Sequence, residues 1–148
     1  MKLELRLLNC FWLILPLLAC NMLLGARITD ARVTSDADSP KWLLIAENLS
    51  RILVFAFPLL LPLQFTAAWS KAGFGIYIIG TLVYFTTWLA LIFAPHSDWT
   101  NSPAGLLAPR LTPFLSFLGI ALIGQAWPYG LVAAVFILIH TWHGIQNL

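Results

Sequence analysis

The chain is built from long apolar runs separated by short polar breaks, and the lengths of the runs decide the reading. The first covers about 7–26, between Lys2 and Arg6 on one side and Arg27 on the other. The second, about 42–69, follows Ser39-Pro40, a pattern suited to the start of a helix. At about 1.5 Å per residue this run reaches roughly 40 Å, enough for a hydrocarbon core and both interfaces. The third, about 74–94, carries no charge. The remaining apolar stretch divides at Gln125-Ala126-Trp127-Pro128-Tyr129-Gly130, which has turn chemistry, into runs of about 113–127 and 130–145.

These patterns predict an all-α integral membrane protein: one membrane domain, 1–148, forming a compact bundle of five transmembrane helices. The alternative is four helices with a proline-kinked last one. Unbroken, a helix from Pro113 to Gln146 would be about 50 Å long, too long for a bilayer unless it projected from it.

The polar breaks read as loops. Residues 27–41 place three acids (Asp30, Asp36, Asp38) among three bases (Arg27, Arg32, Lys41), as a solvated loop would. Residues 95–112 are rich in Pro, Ser and Asn and predict a structured loop, with Trp99 at the interface and Leu106-Leu107 dipping towards lipid. Trp69-Ser70-Lys71-Ala72-Gly73 reads as a short turn between the second and third runs. Thr112-Pro113 supplies a cap and first turn for the next helix.

Composition narrows the class further. Only 9% of residues are charged, against about 25% in soluble proteins, so the 148 residues leave no room for a separate soluble domain. The formal net charge of +2 comes without a basic run, which excludes an electrostatic footprint for nucleic acid. Cys10 and Cys20 lie about 15 Å apart on a helix, too far to bridge, and read as small apolar packing residues. Leu17-Leu18-Ala19-Cys20 loosely resembles a lipoprotein cleavage box, but the apolar run continues through Met22, Leu23 and Leu24, so the segment is read as a retained helix.

The chemistry concentrates in the second run. Glu47 and Arg51 stand at i, i+4 with the acid first, the favourable order for a helical ion pair, and Asn48 lies beside them. A charge at that depth costs about 2.5 kcal/mol or more, so Arg51 must face protein or water. Pro58 and Pro62 should loosen the other half of this helix. With five spans, the start of the second helix, the 95–112 loop and the C-terminus share one membrane face. With four, His140 and His143 lie on the opposite face from His96.

Two sites are therefore expected. Glu47, Asn48 and Arg51, with Arg110 as a second positive contact, would line a polar pocket for a small anionic or lipid-like ligand, Arg51 gripping the anion with its planar fork. Alternatively, His96, Asp98, His140 and His143 would hold a transition metal such as zinc or iron for a membrane enzyme acting on a lipid or small molecule. A structural subunit of a membrane complex is the third reading. The natural setting is a multi-pass position in a bacterial inner membrane, and such short, tightly packed helices are compatible with a homo-oligomer. Lys2, Arg6 and Lys71 on one face balance Arg27, Arg32, Lys41 and Arg110 on the other, so charge does not settle orientation; the short charged N-terminus favours the inside. No motif names a family.

Overall fold

Among the described residues, prolines and caps cut the apolar runs into six α-helices. The computed structural model describes residues 8–28, 39–146 and 148. A 3₁₀ turn, Cys10–Leu13, leads into α1 (Leu15–Gly25). Helix α2 (Lys41–Ala56) continues as a 3₁₀ turn, Phe57–Leu60; α3 is Ala68–Phe93, α4 Pro103–Leu111, α5 Pro113–Ile123 and α6 Trp127–Gln146. Among the described residues the fold is all-helical, the one β-type pairing being an isolated bridge between Asn9 and Pro62. Among the described residues four helical stretches are long and apolar enough to cross a membrane: Lys41–Leu60, Ala68–Phe93, Pro103–Ile123 and Trp127–Gln146. Cys10–Gly25 is a shorter apolar helix.

The helix ends depart from the sequence expectation at three places. The second run stops being helical at Leu60 rather than near Trp69. Pro58 sits in the 3₁₀ turn and Pro62 has no N–H, so the helical ladder fails there. The N-terminal segment takes up the released backbone groups: Cys10 N–H donates to Leu61 O at 2.8 Å and Leu63 N–H to Leu8 O at 3.3 Å.

Second, Trp69–Gly73 is the first part of α3 and not a turn. Gly73 serves close approach there, since a Cβ would stand 2.6 Å from Leu122 Cβ and 2.9 Å from Gly119 O.

Third, the segment expected to be a loop up to residue 112 is helical from Pro103. Ser102 caps that helix, its Oγ accepting from Gly105 N–H at 3.1 Å, and Pro103 occupies the first turn, where its missing donor costs nothing. Residues 95–102 remain turns, pinned by Thr100, which donates to Ala94 O at 2.7 Å. Residues 29–38, holding Asp30, Arg32, Asp36 and Asp38 of the expected polar loop, lie outside the described residues.

The last apolar stretch is a hairpin. Gly124-Gln125-Ala126 turns the chain, Gln125 adopting a left-handed φ of 51°, and Trp127-Pro128 opens α6. Phe117 of α5 meets Phe136 of α6, while Gly130 of α6 lies against Ala121, so the two helices run antiparallel. Helices α3 and α5 form the tightest contact, Gly73 and Gly80 of α3 against Gly119 and Ser116 of α5. Helix α2 packs antiparallel on α6, with Phe55 beside Phe136 and Phe57 beside Tyr129. Helix α1 lies along α3: Tyr77 OH donates to Leu13 O at 3.0 Å and Tyr84 OH to Asn21 Oδ1.

Helices α1 and α2 therefore meet at one end, through the Asn9–Pro62 clasp, and share almost no packing along the rest of their described lengths. Cys10 and Cys20 are free and buried, Cys10 donating weakly to Pro62 O at 3.5 Å.

Candidate functional site

The buried stripe of α2 is Leu43, Glu47, Ser50 and Val54, a spacing of three and four that aims one face at α6. Glu47 lies on that stripe, with only 3% of its side chain exposed. Its carboxylate meets two imidazoles from α6 and one guanidinium from α2. Oε1 is 2.9 Å from His140 Nδ1 and also receives Arg51 Nη2; Oε2 receives His143 Nδ1. A carboxylate has only lone pairs to offer, so both imidazoles carry their hydrogen on Nδ1 and donate. His140 and His143 reach the same carboxylate because i, i+3 on a helix places them on one face.

Each flanking group is positioned in turn. Arg51 Nη1 lies 3.3 Å from Asn48 Oδ1, so the guanidinium is held between Glu47 and Asn48, its side chain still 42% exposed. His140 stacks on Phe136 with centroids 5.3 Å apart and rings 11° from parallel. Arg110, buried on α4, extends Nη1 to His140 O at 3.3 Å. Its path crosses Gly144, where a Cβ would come within 2.5 Å of Arg110 Cδ. That glycine is the seat of the arginine.

Beside this cluster, where α1 and α2 diverge, is a cavity of about 390 Å³. Arg51, Arg110 and His140 line its polar part; Asn21, Tyr84 and Trp88 contribute from α1 and α3. The remaining wall is largely aliphatic and aromatic, with Leu17, Phe55, Phe117 and Phe136. A chamber of this size with a few convergent polar groups in an apolar wall is the usual form of a small-molecule site. A second hollow of about 300 Å³, beside Trp69 and Trp127 at the opposite end of the bundle, has no charged residue in its lining.

The sequence-derived ligand set is thus largely gathered: Glu47, Arg51 and Arg110 meet around one cavity, and Asn48 stands exposed behind Arg51. The four residues of the expected metal set are not brought together. His96 and Asp98 are exposed in the α3–α4 turns, whereas His140 and His143 direct Nδ1 to Glu47. Among the described residues no group of three or more His, Cys, Asp or Glu side chains is arranged to hold a metal ion.

Sequence reasoning passed over Asn21, Tyr84, Trp88 and Gly144. The one available signal was Gly144 immediately after His143, a small residue in the last turn of an aromatic-rich helix. No family model matches the chain, and no match to it was found among curated proteins or solved structures.

Proposed function

We propose that this is a multi-pass membrane protein whose cavity binds an anionic, lipid-like ligand, its head group at Arg51 and Arg110 and its apolar part against the phenylalanines and Leu17. The observation that carries the reading is the pairing of two guanidiniums with an otherwise mostly apolar cavity. Guanidinium forks suit phosphate and carboxylate heads, and the aromatic wall suits a hydrocarbon chain.

The side of the bundle where α1 and α2 diverge offers such a ligand a route from the lipid phase, because the facing surfaces are apolar: Met22 on α1 and Ile52 on α2 are exposed. The tryptophans support insertion. Trp42, Trp99 and Trp142 are exposed at the end of the bundle near the cavity, and Trp12, Trp69 and Trp127 at the other, the arrangement of two interfacial belts. In this reading Cys10–Gly25 is a fifth crossing, short but accommodated by local thinning of a bacterial inner membrane.

Two measurements test it. In detergent, lipid extract should raise the thermal midpoint of the wild type and not that of Arg51→Leu; a folded Arg51→Leu protein that responds like wild type removes the pocket. In sealed vesicles, cysteines placed at Leu8 and Leu148 should label from opposite sides, and labelling from one side would reduce the crossings to four.

A further inference from the structure

The ligand reading leaves open why a histidine stands beside two arginines. Arginine alone grips an anion, and its guanidinium does not give up a proton in proteins. His140 differs in having a defined lone pair. Its Nδ1 hydrogen is committed to Glu47 Oε1 at 2.9 Å, which fixes the tautomer and leaves Nε2 as an acceptor. His140 is 23% exposed and lines the cavity together with Arg51 and Arg110. His143, on the same carboxylate, is only 4% exposed and does not line the cavity. The two histidines thus divide their roles: His143 braces Glu47, and His140 presents a base.

A base between two fixed cations suits a head group that is anionic and still has a proton to release. Carboxylates, sulfonates and phosphodiesters are anionic but lack that proton near neutral pH. A phosphate group with one ionisable proton has it, since its second ionisation falls at about pH 6. Building on the anionic-ligand reading, we propose that the cavity selects a phosphate head retaining an ionisable proton, and that His140 accepts this proton as the head settles on Arg51 and Arg110.

The step balances without any bond to phosphorus changing. The P–O–H proton moves to His140 Nε2, its electron pair stays on the phosphate oxygen, and the head becomes a dianion between two guanidiniums and an imidazolium. Glu47 compensates the imidazolium from the far side of the ring. Among the described residues, the titratable and charged groups that face His140 are Glu47 and Arg51 from α2 and Arg110 from α4, with His143 on its own helix. The apolar wall favours a phosphate that ends a hydrocarbon chain over free phosphate, and the experiment separates the two.

Binding is measured calorimetrically on the intact protein in maltoside micelles with 1-oleoyl lysophosphatidate, its phosphate methyl ester and inorganic phosphate. At pH 5, below the second ionisation, the methyl ester matches the monoester in charge and chain and lacks the proton. Wild type should prefer the monoester by about tenfold at pH 5, the worth of one hydrogen bond to a charged group. His140→Gln should bind both lipids with that preference lost. Above about pH 6 the free head has lost its proton, so binding must take one up, and monoester affinity should fall by up to about tenfold per pH unit while the ester changes little.

Equal binding of monoester and ester by wild type overturns the proposal, as does a preference that survives His140→Gln. If that variant does not fold, the wild-type pH slope decides, and a flat slope refutes the proton step. Inorganic phosphate competing as strongly as the lipid would keep the proton step and assign the site to free phosphate. Failure of all three to bind the wild type would instead remove the anionic-ligand reading beneath it.

Discussion

Two helix pairs hold this bundle, and they join by opposite means. Helices α3 and α5 meet through absence: Gly73, Gly80 and Gly119 let backbones touch, and the polar contribution includes the Thr81–Ser116 hydroxyl pair at 3.1 Å and Ser70 Oγ donating to Ile123 O at 3.4 Å. Helices α2 and α6 meet through Glu47 and two histidines, with phenylalanines below them. In lipid, apolar side chains gain little by leaving the bilayer for each other, so the first pair depends on shape. The second depends on the cost of leaving a charge without company. The cavity is lined from both pairs, by Tyr84 and Phe117 on one side and Arg51 and His140 on the other.

The seam should break most severely. A Cβ at Gly119 would already lie 2.6 Å from Gly73 O and from Tyr77 N, both backbone atoms that cannot rotate away. Gly119→Leu is expected to cost about 3 kcal/mol or more, the upper range for overpacking, and to lower the unfolding midpoint in a mixed-micelle denaturant titration. A variant as stable as wild type would mean that α3 and α5 are not in the contact described. Gly75, which has no atom within 4 Å of an added Cβ, is the control: Gly75→Ala should be neutral or slightly stabilising.

The polar pair should be weaker and graded. Glu47→Leu strips the acceptor from His140, His143 and Arg51 together. The expected loss is about 2 kcal/mol, below the 3–5 kcal/mol of an enclosed pair, because Arg51 is 42% exposed and can turn to solvent. Glu47→Gln has one amide oxygen in place of two carboxylate oxygens, so it satisfies only part of the set and should fall between wild type and Leu in the same titration. Equal stability of all three proteins would separate the charge cluster from the fold and leave it as function alone.

The contrast also shows what a single chain discloses. The Glu47–Arg51 pair was legible because it is local: four residues on one helix fix the partners before any tertiary structure exists. The meeting of Glu47 with His140 and His143 was legible only through topology, as a consequence of the hairpin at Gly124–Ala126 that returns α6 to the level of α2. The glycine seam was half legible. Gly75 and Gly80 look alike as sequence, yet one lies on Ser116 and the other in open space, a distinction set by helix rotation. Proline misled twice: as a breaker it masked α4, where Pro103 starts the helix, and it gave no hint that the N-terminal segment would satisfy the backbone around Pro62. A polar pocket at Arg51 and Arg110 was legible, but its apolar wall was not, since the cavity opens where α1 and α2 diverge, and divergence leaves no pattern in either helix.

Asn48 gives the smallest and most discriminating test, because it belongs to the polar pair without supporting the fold. Its side chain is exposed, outside the cavity lining, and touches Arg51 Nη1 at 3.3 Å. Asn48→Ala should leave unfolding within about 0.5 kcal/mol of wild type, as surface substitutions do. The same change frees one arm of Arg51 to sample other rotamers, so lysophosphatidate affinity should drop by about threefold, roughly 0.7 kcal/mol. The reverse result, lost stability with intact affinity, would mean that Arg51 is a structural partner of Glu47 and that the anion is held by Arg110. Because Gly119→Leu acts on the fold and Asn48→Ala on the head-group grip, the two variants bracket the cavity from its rigid and its responsive side.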